Sequence, residues 1–270
     1  MRLSEPIDIQ DLMVVKVGGN EIDDDGFLAG FVAAIAELQA RAQVVIVHGG
    51  GKEIAELHGQ LGVGFEFVEG LRVTSAASLR LVEMVLRGVV NTRLTRWLVN
   101  AGVNALGLSG VDLGLIRVQP LRPRGQDIGY VGQVVEVRGH HLRALLANGM
   151  VPVISPVSLG MDGQSYNVNA DQVAAALAAT LHAGRLVFVS NVPGVLLNGS
   201  QRPEPLLTIS QVEASIGSGY IFGGMVPKVR SAVQAVHNGV PAAVITNLEG
   251  LRNGTGTAVL PDQPASPLVS

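Results

Sequence analysis

Three charged side chains stand where an isolated charge would be costly unless something answers it. Lys16 lies inside the apolar run "MVVKV" (13–17), directly before Gly18 and Gly19. An ammonium there must either extend its stem along a sheet edge or meet an anion at the strand's end. Lys228 falls near the start of a helical pattern, "GGMVPKVRSAVQAVHNG" (223–239), the end where the macrodipole disfavours a cation. A bound phosphate there would reverse the sign; a solvated lysine is the alternative. Asp171 belongs to "NVNADQ" (167–172), where Asn167 and Asn169 are both candidate caps, so ordinary capping competes with a functional carboxylate.

The glycines narrow the chemistry. "VVIVHGGGKEIAELHGQ" (44–60) sets Gly49, Gly50 and Gly51 between a strand pattern and a helix pattern. It is not a P-loop, because Lys52 is followed by Glu53 and no glycine stands at the required distance upstream. An oxyanion hole would need a G-x-S-x-G elbow, and "GLSGV" (107–111) lacks the last glycine. No G-x-G-x-x-G opens an early helix. What remains is a strand–glycine–helix turn whose free amides could hold an anion, or a tight turn that explains one or two of the glycines. Two glycine turns, two separated lysines and one carboxylate, without nucleophile–base or metal-ligand spacing, fit phosphoryl transfer, in which a protein mainly positions two substrates and neutralises charge.

The elements that must hold these groups are legible as alternating short β-branched runs and helical patterns. Strands are expected at 13–17, 44–47, 151–155, 186–190 and 242–246, and helices at 27–41, 51–61, 76–101, 139–148, 167–182 and 227–238. This is a βαβ pattern with a largely parallel sheet. Segments 62–74 and 115–139 read as β-hairpins, walls or lids over a site at the sheet's C-terminal edge. A soft boundary near 159–166 divides 1–166 from 167–270, and the tail "PDQPASPLVS" reads as a frayed end.

Composition sets the outer limits. The 270 residues suit one large or two modest domains, and 47% apolar with 4% aromatic residues calls for an aliphatic core. A charge of −3, a pI near 6.1 and no basic run argue against a nucleic-acid partner. With no cysteine there is no thiolate nucleophile or thiolate metal site. No stretch is long and apolar enough to span a membrane, and "MRLSEPIDIQDL" lacks the apolar run of a signal peptide, so a cytoplasmic protein is expected.

The ordered set "KVGG" (16–19), "VHGGGK" (47–52), "EGLRVT" (69–74), "GLSGVD" (107–112), "NVNADQ", "SNVPGV" (190–195) and "GGMVPKV" (223–229) resembles the amino acid kinase superfamily, and within it the N-acetylglutamate kinases. The resemblance runs from about residue 13 to 258. It implies a three-layer αβα sandwich with a mainly parallel central sheet, an N-terminal lobe for the amino acid and a C-terminal lobe for ATP. The implied reaction is ATP-dependent phosphorylation of the γ-carboxylate of N-acetyl-L-glutamate, the second step of arginine biosynthesis. Lys16 and Lys228 would stabilise the phosphoryl group in flight, and Asp171 would orient both. Amides of Gly19, Gly50 and Gly51 would bind phosphoryl oxygens or substrate carboxylate, Arg72 would clamp the α-carboxylate, and Asn167 would hydrogen-bond the substrate. Gly18, Gly19, Ser190, Asn191, Pro193, Gly194, Gly223, Gly224 and Met225 would serve the nucleotide. Mg²⁺ would arrive with ATP and need no protein cage.

Three departures accompany the resemblance. Asn191 stands where the family has Asp, segment 246–259 is shorter, and few residues precede the first strand, which points to a homodimer insensitive to arginine. Helix 76–101 would supply the dimer face, although Val82, Val85, Val89 and Trp97 serve equally as core. A carrier-linked aminoadipate or glutamate kinase of lysine biosynthesis and a non-catalytic nucleotide or amino-acid sensor are the competing functions.

Overall fold

The computed structural model describes residues 12–197, 200 and 202–262, and of Asn20 the backbone only. Most of the expected signal-peptide-free N-terminus and most of the expected frayed tail lie outside the described residues. The chain runs β1 (Leu12–Val17), α1 (Gly19–Ile22), α2 (Asp25–Leu38), β2 (Gln43–His48), α3 (Gly51–Leu61), β3 (Phe67–Val68) and β4 (Leu71–Arg72). It continues through α4 (Ala76–Glu83), a π-helical segment (Met84–Val90), α5 (Asn91–Asn100), β5 (Ala105–Gly110), β6 (Ile116–Pro120), β7 (Gly132–Val137) and α6 (Gly139–Ala147). Then come β8 (Val151–Gly160), β9 (Ser165–Asn167), α7 (Ala170–Leu181), β10 (Arg185–Val189) and β11 (Leu206–Thr208). The last elements are α8 (Ile209–Gly217), α9 (Met225–His237), β12 (Ala243–Thr246), α10 (Leu248–Asn253) and β13 (Thr257–Leu260).

Eleven of these strands form one sheet in the order β11-β13-β12-β10-β1-β2-β8-β6-β7, with β5 and β9 also paired to β8. The central ladder from β12 to β8 is parallel, and antiparallel pairs occur toward its margins. Alternation along β1 sends Val14 into one helical layer with α7 and α9, and Met13 and Val15 into the other with α2 and α5. Helices on both faces leave no solvated side, which is why these strands read as unbroken apolar runs. This is the expected αβα sandwich.

Two expectations need correction. Residues 76–101 are not one regular helix, because the π turn interrupts them; Val82 and Val85 are core, Val89 is exposed, and Trp97 is half-buried against the α2 side. Residues 167–182 are also not all helix, since α7 begins at Ala170 and Asn167 ends β9. Both expected hairpins are present, β3–β4 and β6–β7, and they are strapped together: Thr74 donates to Ile128 O and accepts from Tyr130 N.

Phe31 on α2 is fully buried and anchors the layer under β1. Phe31→Ala should cost about 3–5 kcal/mol of stability, measured by denaturant unfolding. A loss below about 1 kcal/mol would contradict this packing.

Candidate active site

A cleft of about 690 Å³ opens at the C-terminal ends of the parallel strands, where ligands of open α/β sheets gather. Its walls include Gly49, Gly50 and Gly51 at the β2–α3 turn, Arg72 and Phe67 of the β3–β4 hairpin, and Asn167 and Asn169 before α7.

Lys16 lies on β1, flanked by β2 and β10, so it is on a central strand and its stem does not run along a sheet edge. It shares the face of Val14, toward α7, and its Nζ stands 2.8 Å from Asp171 Oδ1. That oxygen has no partner in hydrogen-bond geometry, so the contact is an ion pair whose directional bonds remain open. Asp171 sits in the first turn of α7, where a carboxylate is favoured, because Asn169 caps the helix by accepting from the amides of Asp171 (2.8 Å) and Gln172 (3.3 Å). Its Oδ2 accepts from Ser231 Oγ of α9 at 3.3 Å. Lys228 precedes Ser231 by three residues and so shares that side of α9, half-buried. Among the described residues Asp171 pairs with Lys16, and Lys228 pairs with no carboxylate.

The two glycine turns meet backbone to backbone. A Cβ on Gly19 would stand 2.5 Å from Gly50 Cα and 2.6 Å from Gly50 N, and one on Gly49 would be 3.2 Å from Gly19 N. Behind the turn, a Cβ on Gly50 would press on Leu86 of the π segment at 2.6 Å, whereas Gly51 faces open space. Gly18 has a different constraint, since its Cβ would run into the carboxylate of Glu21. Among the described residues the amides of Gly19, Gly50 and Gly51 find no acceptor.

Arg72 lies against Phe65, with its guanidinium carbon 4.0 Å from the ring centroid, and 5.0 Å from that of Phe67. Its Nη2 donates weakly to Gly51 O at 3.4 Å, and Nη1 is buried without a partner. Burial pushes the guanidinium's pKa down, but it stays a cation, so the arrangement holds positive charge ready for a carboxylate. Asn167 Nδ2 donates to Thr74 Oγ1 at 3.2 Å, and Thr74 donates to Arg72 O at 2.8 Å, tying β9 to the arginine.

The remaining candidates lie farther along the C-terminal half. Ser190 leaves β10 and donates its amide to Thr246 O; Asn191 and Pro193 are exposed; buried Gly194 has φ 153° and leaves no room for a side chain beside Thr257. Exposed Gly223 and Gly224 precede α9, and half-buried Met225 opens it. None of these lines the 690 Å³ cleft.

Several supporting contacts join residues far apart in the chain and carry no local sequence signal. Arg93 of α5 bonds Glu53 of α3 at 2.6 Å and Ile22 O at 3.2 Å, and approaches Asp23, which also pairs with Lys52. This network holds the helices that follow the two glycine turns to one another. His48 is buried behind Gly49 and contacts Asn91 at 3.0 Å.

The sequence model of the amino acid kinase family matches residues 11–247. The chain belongs to this family. A protein named acetylglutamate kinase from Chloroflexus aurantiacus is 52% identical over 90% of this chain and 94% of its own. One of the same name from Methanopyrus kandleri is 44% identical, over 91% and 99%. Among solved structures, a protein of Streptococcus mutans UA159 superposes with a TM-score of 0.80 at 33% identity, covering 93% of this chain and 99% of that one. Carbamate kinase from Giardia lamblia, bound to AMP-PNP, shares the fold at a TM-score of 0.69 and 17% identity, over 94% and 99%.

In this amino acid kinase His48 gives the site a pH signature. Burial, opposed by its bond to Gly49 O and helped by Arg87 and Arg93, lowers its pKa from 6.5 to about 4. The unfolded ring protonates near 6.5 and the folded ring only near 4, so its stabilising contribution is whole above 6.5 and lost as pH falls toward 4. Denaturant midpoints of wild type and His48→Gln should converge over that window; parallel curves would refute the assignment.

Proposed function

We propose that this amino acid kinase transfers the γ-phosphoryl group of ATP to the γ-carboxylate of N-acetyl-L-glutamate, forming N-acetyl-L-glutamyl 5-phosphate for arginine biosynthesis. The observation that carries the reading is the cleft itself. Unpartnered amides of Gly50 and Gly51 and the unpartnered Nη1 of Arg72 line one cavity, a place for an acceptor with two carboxylates. The name shared by relatives 42–52% identical over most of the chain supports it.

In this reading Arg72 and Asn167 fix the α-carboxylate end of the acceptor, leaving the γ-carboxylate at the glycine turns. That carboxylate is ionised at neutral pH, so no general base is required. Lys16 and Lys228 offset the charge of the transferring group, and Asp171 aims Lys16 and, once phosphate is present, Lys228. Ser190, Asn191, Pro193, Gly194 and the 223–225 turn hold the nucleotide. Among the described residues no cluster of three or more His, Asp or Glu could hold a metal, and Mg²⁺ would come coordinated by the nucleotide's phosphates.

The same reading treats 1–166 as the acceptor lobe and 167–270 as the ATP lobe of one continuous fold. It pairs two copies of the chain through the exposed Met84, Val89 and Val99 and the neighbouring edge strand β5, with Leu106 partly exposed. A cytoplasmic protein without membrane or nucleic-acid partners fits this role; no described helix is long and apolar enough to cross a membrane.

ADP release with MgATP, compared across N-acetylglutamate, glutamate, aspartate and carbamate with hydroxylamine present, tests the assignment. Turnover confined to N-acetylglutamate, with a trapped hydroxamate, is expected. Asp171→Asn should lower kcat by about 100-fold or more. Turnover on carbamate, or none on N-acetylglutamate, would overturn it.

A further inference from the structure

His48 ends β2 on the face away from α7, in the layer that holds α5, and has no contact with the cleft. Its ring is fully buried, with Nδ1 2.9 Å from Gly49 O and Nε2 3.0 Å from Asn91 Nδ2. The orientation of the Asn91 amide follows from its other neighbours. Nδ2 donates to Val153 O at 2.9 Å, while Oδ1 accepts from Arg87 Nη1 at 2.9 Å. The atom facing the ring is therefore a donor, Nε2 must accept, and the single ring proton of neutral His48 sits on Nδ1, donating to Gly49 O. A pKa near 4 keeps that tautomer uncharged at working pH.

The carbonyl held in this way belongs to the same peptide group as the Gly50 amide. The Gly49–Gly50 peptide is trans, so that N–H points opposite to the Gly49 carbonyl. With the carbonyl drawn inward by the ring, the Gly50 N–H is turned outward at a residue that lines the cleft, and it has no acceptor among the described residues. Among the described residues the ring proton makes the one hydrogen bond to the Gly49 carbonyl, and the two glycines add little torsional barrier of their own to hold the peptide plane.

We propose that His48, seated by Asn91, is a positioning residue that aims the Gly50 amide at the phosphoryl group or its acceptor oxygen. This rests on the phosphoryl-transfer reading above. An amide fixed in advance costs no reorganisation when charge develops, so its loss should appear in kcat and leave substrate KM nearly unchanged.

The test uses the full chain, with wild-type turnover of N-acetylglutamate and MgATP measured first. His48→Gln can still meet Asn91 but places no donor at the Nδ1 position; its kcat should fall about 10- to 100-fold with KM values within about twofold. His48→Asn restores a donor near the Nδ1 position and should recover most of that loss even if its melting temperature is lower. Asn91→Ser, which unseats the ring, provides a second variant with the same expected kcat defect. Calorimetric affinity for MgADP with and without aluminium fluoride adds a readout independent of the acceptor. Aluminium fluoride should tighten binding less in His48→Gln than in wild type, while MgADP alone binds equally. A folded His48→Gln with wild-type kcat and an unchanged aluminium fluoride effect would overturn the proposal, as would kcat losses that track melting temperature across all three variants. No wild-type turnover on N-acetylglutamate would instead sink the substrate reading, leaving the aluminium fluoride comparison to decide the role of His48.

Discussion

The site depends on a contact between two stretches of bare backbone. Gly19, just past β1, and Gly50, just past β2, approach so closely that a single Cβ at Gly19 would fall 2.5–2.9 Å from the Cα and N of Gly50 and the N of Gly51. Two adjacent parallel strands can deliver unpaired amides to one spot only if neither turn carries a side chain between them. The other features of the site secure that contact or exploit it. The Arg93–Glu53–Asp23–Lys52 network draws α1 and α3 together from outside, and Leu86 and Val90 of the π segment support Gly50 from behind. A π turn inside a long helix often marks a functional site, and here it places Leu86, Val90 and Asn91 against the back of the turn.

Charge is distributed to suit a reaction that moves a phosphoryl group. Lys16 is committed to Asp171, whose carboxylate also reaches α9 through Ser231, while Lys228 on the same side of α9 has no carboxylate partner among the described residues. A phosphate arriving between the helices would give Lys228 the counter-charge that the macrodipole denies it. Arg72 repeats the arrangement in the cleft wall, its guanidinium 4.0 Å from the Phe65 ring centroid and one nitrogen unsatisfied. Each unsatisfied group is a cost in the free protein that a ligand satisfying it would remove.

Much of this was legible from residue order because it follows from local rules. β-branched runs mark β1, β2, β8, β10 and β12, and a lysine inside such a run calls for an anion, which the structure supplies as Asp171. β5, "ALGLSG", was not legible as a strand, because its glycines and serine lower β propensity and its pairing comes from β8, more than 40 residues away. The π turn within 76–101 was hidden because one extra residue in a turn barely disturbs an apolar stripe. Arg93–Glu53 and His48–Asn91 span 40 and 43 residues, so no local spacing announces them. His48 had one usable signal: alternation in "VVIVH" puts it on the opposite face from Val45 and Val47, inside the protein.

Steady-state turnover of Gly19→Ala at saturating MgATP and N-acetylglutamate tests the central claim most directly. If the backbone contact positions the amides that receive the phosphoryl group, the added methyl must separate the turns, and kcat should fall about 100-fold or more. A folded Gly19→Ala protein with wild-type kcat would contradict the account.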